Sequence, residues 1–137
     1  LLDVERALNE LSAERCSLKV IATEWMTKAY AQAEDLEGCF RVNRSISEDI
    51  AIWPEGRFCA HERLLDLALF IKDFAEARRQ VEALERLDLL IHSPLFEARY
   101  LEAKSKQIGA LDPVKGEGIA VIARQLDERF GAHQKQA

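Results

Sequence analysis

The chain has 137 residues, 48% of them hydrophobic, with only six glycines and three prolines; it can bury one real core and has too few chain breakers for disorder. Its formal net charge is −5, and Lys and Arg are interleaved with acids, which excludes the clustered basic surface on which nucleic-acid affinity rests. Three scattered cysteines, Cys16, Cys39 and Cys59, make no disulfide framework and read as reduced core residues, and no apolar run approaches the roughly 18 residues of a membrane span. The chain opens Leu-Leu-Asp without a basic and apolar leader, so a soluble cytoplasmic protein is expected, and a first residue other than Met suggests a segment of something longer.

Apolar residues recur at helical spacing throughout, and no stretch sustains a period of two, so the expected fold is all-α. A first helix is expected over about Leu2–Glu14, with Val4, Leu8 and Leu11 on one face, and a second over Ser17–Ala33, with Trp25 in the core beside Val20, Ile21 and Tyr30. A third follows over Asp35–Ile46. Next comes "SEDIAIWPEGRF", Ser47 to Phe58, where Pro54 and Gly56 predict a long loop. Helices resume over Cys59–Ile71 and Phe74–Ile91. "HSP", His92 to Pro94, breaks the chain before a helix over Leu95–Ile108, which Gly109 should close in a left-handed C-cap. The last helix, Asp112–Phe130, takes Asp112 as N-cap and Pro113 as its first residue, and the tail "HQKQA" is expected to fray.

Four segments align on a leading aspartate: Asp3, Asp35, Asp73 and Asp112, spaced 32, 38 and 39 residues apart. Each is followed at the next position by Val4, Leu36, Phe74 or Pro113, and at the fourth by a small residue, Ala7, Cys39, Ala77 or Gly116. The Asp can cap a helix start, the next residue can tuck under the preceding helix, and the small residue permits a close crossing. The chain then divides into helix pairs near 17–46, 59–91 and 95–130 after a partial unit near 1–14, all within one domain, 1–137, of about seven helices.

"KDFAEA", Lys72 to Ala77, and "YAQAEDLEG", Tyr30 to Gly38, resemble the tetratricopeptide family, whose second helix commonly opens with Gly-Asp, an aromatic residue and Glu-Ala. The spacing near forty also resembles the longer repeats of large bacterial transcription activators of the MalT type. The sequence departs from the pattern where Glu34, Lys72 and Leu111 replace the Gly before the Asp, and where Leu65 replaces a small residue. The resemblance implies antiparallel pairs stacked as a right-handed superhelix; an irregular helical bundle is the alternative. It also implies a binding surface on the first helices of the pairs, at Glu24, Lys28 and Gln32, at Glu62 and Asp66, and at Ser105.

Signals for chemistry are sparse. "CAHE", Cys59 to Glu62, offers a thiol, an imidazole and a carboxylate. Cys59 and His61 nevertheless fall on opposite sides of a helix, so a buried Cys and a half-exposed His are expected in place of a metal site. Arg86 and His92, six apart, resemble the motif of HEPN-type ribonucleases, in which the Arg would hold phosphate charge and the His would move a proton; a surface Arg and a helix-terminal His are the simpler expectation. "KGEG", Lys115 to Gly118, lacks the strand and spacing of a phosphate loop, and no cofactor motif is present. Acid-rich positions such as Glu82, Glu85 and Asp88 are expected to be solvated, and Trp53 to pack its loop onto the helices.

The expected function is therefore non-enzymatic: a regulatory or scaffolding module that binds a basic or amphipathic peptide or protein segment. One alternative is an effector-sensing domain of a transcription regulator, with a small molecule held between helices around Trp25 and Phe70. The other is the ribonuclease.

Overall fold

The computed structural model describes residues 1–9, 16–87 and 93–136. Among them the chain is all-α, without strands: α1 (Leu2–Asn9), α2 (Cys16–Gln32), α3 (Leu36–Ser47), α4 (Pro54–Phe70), α5 (Phe74–Arg86), α6 (Pro94–Gly109) and α7 (Pro113–Gln136). They form two units, Leu1–Leu67 and Ala68–Ala137, with the boundary inside α4. The expected ends of the first helix, with Leu11, and of the fifth, with Asp88 and His92, lie outside the described residues, as does the side chain of Leu8.

In the first unit α2 and α3 pack as a hairpin. Met26 and Tyr30 of α2 meet Cys39 and Val42 of α3, and Ile46, Ile52 and Ala60 form a second buried cluster. A polar thread runs through this packing. Asn43 donates to the Thr27 hydroxyl at 2.9 Å and to the Cys39 carbonyl at 2.8 Å, while the Cys39 thiol donates to the Thr27 carbonyl at 3.4 Å. Asn43 is fully buried, so these bonds offset the cost of removing its amide from water.

In the second unit α6 packs against both α5 and α7. The α6–α7 crossing is close because glycine faces glycine: a Cβ on Gly116 would lie 2.5 Å from the Gly109 Cα and 2.8 Å from the Ser105 carbonyl oxygen. Gly109 therefore ends α6 without entering the left-handed region; close approach, and not a C-cap, explains its lack of a side chain.

The inter-helix turns repeat in detail. After α2, the Asp35 amide bonds the Tyr30 carbonyl and the Glu34 amide bonds Ala31; after α4, Asp73 bonds Ala68 and Lys72 bonds Leu69. Both patterns are Schellman closures. Both put a non-glycine in the left-handed region, Glu34 at φ 58° and Lys72 at φ 60°. Each following Asp then caps the next helix, Asp35 accepting from the Gly38 amide and Asp73 from the Glu76 amide. The third turn keeps the cap, Asp112 accepting from Lys115, but lacks the i→i−5 bond and the left-handed residue: Leu111 bonds Ile108 three residues back and Asp112 bonds it four back.

Several boundaries differ from expectation. Pro54 occupies the first turn of α4, where a missing amide costs nothing, so the helix begins there and the connection shortens to Glu48–Trp53. Gly56 lies in that helix because a Cβ would press on Ile52, Val20 and Trp53 at 3.1–3.3 Å. α7 extends beyond the expected end at Phe130, to Gln136, and Ala137 lies outside the described residues. In the opening segment Asp3 sits inside the first turn of α1 and is no cap, and Val4 and Ala7 are exposed; the packing role assigned to these positions holds for Cys39, Ala77 and Gly116, which are buried.

Candidate functional site: an apolar face on the first unit

The second helix is apolar on two sides. Thr23, Met26 and Tyr30 are buried against the rest of the unit, yet Leu18, Ile21 and Trp25 stand in solvent, Trp25 with 69% of its surface exposed. This corrects the assignment of Trp25 and Ile21 to the core: helical periodicity marks apolar residues without saying which of two apolar faces finds a partner. The exposed side chains recur at spacings of three and four and, with Leu1 and Val4 of α1, line a shallow groove of about 460 Å³. The Lys28 ammonium lies 5.6 Å from the centre of the Trp25 indole, a distance suited to cation–π attraction.

One buried carboxylate fixes α1 beside this face. Glu5 has only 7% of its surface exposed; it accepts from Arg41 Nε at 2.7 Å and Nη2 at 3.2 Å, and from the Tyr30 hydroxyl at 3.0 Å. The Arg41 guanidinium holds the Glu5 carboxyl below the usual carboxylate range, against the opposing effect of burial. In return Glu5 pushes the Arg41 pKa further up, and burial together with the Glu5 carboxylate raises that of Tyr30. The Tyr30 ring is itself seated on Gly38, where a Cβ would come within 2.5 Å of it. Thus α1, α2 and α3 meet at one polar cluster, which keeps Leu1 and Val4 in the groove wall.

The polar positions assigned to a binding surface fall as follows. Glu24, Lys28 and Gln32 are exposed on α2, and Lys28 lies beside Trp25. On α4 Glu62 is half-buried and Asp66 exposed. Glu24 and Glu62 both act electrostatically on Arg63, whose pKa is lowered by burial and lifted back in part by Cys59 and these two acids. Arg63 Nε donates to Asn43 at 2.6 Å, while its Nη2 is buried without a hydrogen-bond partner. Glu24 and Glu62 thus share one electrostatic neighbour, the Arg63 guanidinium. Ser105 is only 7% exposed: it donates to the Glu102 carbonyl beneath the Gly109–Gly116 crossing, and what remains of its surface lines a cleft between α6 and α7 beside Glu102 and Arg124.

The other sequence signals resolve as follows. His61 is buried, not half-exposed, and Cys59 is half-buried. No group of three or more His, Cys, Asp or Glu among the described residues could hold a metal. Arg86 is exposed at the end of α5, and its proposed partner His92 lies outside the described residues. Phe70, like Trp25, is exposed. Trp53 is partly exposed and packs over Gly56. Among the described residues no helix is long and apolar enough to cross a membrane. The chain matches no family model, no curated protein and no solved structure.

Proposed function

We propose that the chain is a non-enzymatic, tetratricopeptide-like helical-repeat module of the cytoplasm whose α1–α2 face binds an amphipathic, basic segment of a protein partner, in a regulatory or scaffolding role. The observation that carries this is Trp25, the most exposed of a contiguous apolar strip that its own unit leaves uncovered. Such strips on soluble proteins mark interaction surfaces, and a helix laid in a groove uses apolar anchors at the same spacing of three and four. The acids Glu24, Glu62 and Asp66 favour a basic flank over an acidic one. Support for the repeat reading comes from the two Schellman-and-Asp turns, and the free thiols of Cys39 and Cys59 suit a reducing compartment.

The test uses a synthetic helical peptide with leucines at that spacing and lysine flanks, and its glutamate-flanked counterpart, titrated into a Trp53→Phe background so that Trp25 alone reports. The expected result is a blue shift of Trp25 emission with the basic peptide and weaker binding of the acidic one, and, by isothermal calorimetry of the same basic peptide, a loss of about tenfold or more in affinity for Trp25→Ala, as for an aromatic anchor. Equal affinity of Trp25→Ala and the parent would refute the assignment.

A further inference from the structure

Among the described side chains of α1, Leu2, Asp3, Val4, Arg6 and Ala7 are exposed and Glu5 alone is buried. The described attachment of α1 to α2 and α3 therefore runs through a carboxylate. The receptor for that carboxylate is assembled without it. Arg41 Nη2 donates to the Tyr30 hydroxyl at 3.3 Å, and the guanidinium lies 5.5 Å from the centre of the Tyr30 ring. Gly38 seats the same ring, so each of these contacts belongs to the α2–α3 hairpin.

Releasing Glu5 consequently strands no buried polar group. The Tyr30 hydroxyl keeps Arg41 as its donor, the Arg41 guanidinium already stands partly in solvent, and the freed carboxylate regains its hydration. Asn43 is the contrast, since parting α2 from α3 would take the Thr27 hydroxyl from a fully buried amide. What α1 contributes when attached is position, setting Leu1 and Val4 opposite Leu18, Ile21 and Trp25 in one groove. From this we infer that α1 is a releasable strap, latched by Glu5 on the Arg41–Tyr30 pair, and that latching and occupation of the Trp25 groove strengthen each other. A segment laid in the groove touches both walls and so holds α1 down; with α1 released it keeps only the α2 wall. The coupling is reciprocal: the factor by which the latch raises partner affinity is the factor by which the partner favours the latch. The inference rests on the α1–α2 face being the docking site, and it adds how that site is regulated.

Hydrogen exchange followed residue by residue reads the strap directly. In the full chain the hydrogen-bonded α1 amides should exchange faster than those of α2 and α3, and saturation with the lysine-flanked peptide should slow them about fivefold or more. Glu5→Gln should speed α1 exchange toward that of a free peptide and leave α2 and α3 protected. The same variant should bind the peptide about fivefold or more weakly, read by Trp25 emission in the Trp53→Phe background. Arg41→Gln should do the same from the receptor side, and the double variant should lose no more than either change alone. Parent α1 amides that exchange no faster than those of α2 and α3, or Glu5→Gln amides as protected as the parent's, would overturn the strap. A released α1 with unchanged peptide affinity would overturn the coupling while leaving the docking face intact, because the α2 wall would then suffice. A parent that does not bind the peptide would remove the docking face, and the coupling with it, whatever the exchange of α1 shows.

Discussion

Single side chains decide whether the first unit keeps its shape. The Glu5 carboxylate is held below the usual range by Arg41, so it stabilises the fold at pH values above the unfolded carboxylate pKa near 4.3, and that contribution disappears as pH falls through the lower folded value. Because Arg41 is 42% exposed, solvent screening keeps the gain modest, about 1–2 kcal/mol. Glu5→Gln should lower the urea midpoint at pH 7, and the gap to the parent should narrow as pH falls below about 4; a gap independent of pH would assign the loss to packing alone. Glycine at positions 38 and 116 makes a sharper case. Alanine at Gly38 would collide with the Tyr30 ring, and at Gly116 with the Gly109 and Ser105 backbone. Overpacking costs about 1–3 kcal/mol, against a helix-propensity gain of up to about 1. The backbone collision leaves less room to yield, so Gly116→Ala should lower the melting temperature more than Gly38→Ala.

At the level of the helix pair, the turn geometry carries its own prediction. Glu34 and Lys72 adopt left-handed φ values, which cost a residue with a Cβ roughly 1 kcal/mol and glycine almost nothing. Glu34→Gly and Lys72→Gly should each stabilise by up to about that amount, whereas Leu111→Gly, in a turn without a left-handed residue, should destabilise; equal effects at all three would mean that the turns do not differ. These turns were legible in the sequence, because an Asp cap and a small residue four positions on are local requirements of a tight helix crossing. The left-handed residues were visible only as departures, Glu and Lys standing where the resembled family has Gly. What could not be read was which faces stay open. Trp25 and Ile21 share a helix with Met26 and Tyr30, all apolar, and only the placement of α1 and α3 sends the first pair to solvent and the second to the core. The burial of Ser105 was hidden for the converse reason: it is a polar residue on a first helix, but two glycines bring α7 down onto it and leave it only at the floor of a cleft.

Over the whole molecule the net charge of −5 sets how a partner approaches. A negative field draws a basic segment in and repels an acidic one, and salt screens both effects over a Debye length of about 10 Å at 0.1 M. The apolar strip around Trp25 contributes to both kinds of ligand and gains slightly with salt. Affinity for the lysine-flanked peptide should therefore fall several-fold between about 0.05 and 0.5 M salt, while the weaker affinity for the glutamate-flanked peptide should rise. Replacing Glu24, Glu62 and Asp66 by their amides removes the three acids assigned to the binding surface, so the slope for the basic peptide should flatten while the Trp25 emission shift at saturation is kept. Helical content, followed by circular dichroism, is the control, because Arg63 loses the compensation of Glu24 and Glu62 in that variant. An unchanged slope would mean that attraction comes from the net charge at large and not from this edge of α2 and α4; parallel slopes for the two peptides would mean that apolar contact alone selects the ligand.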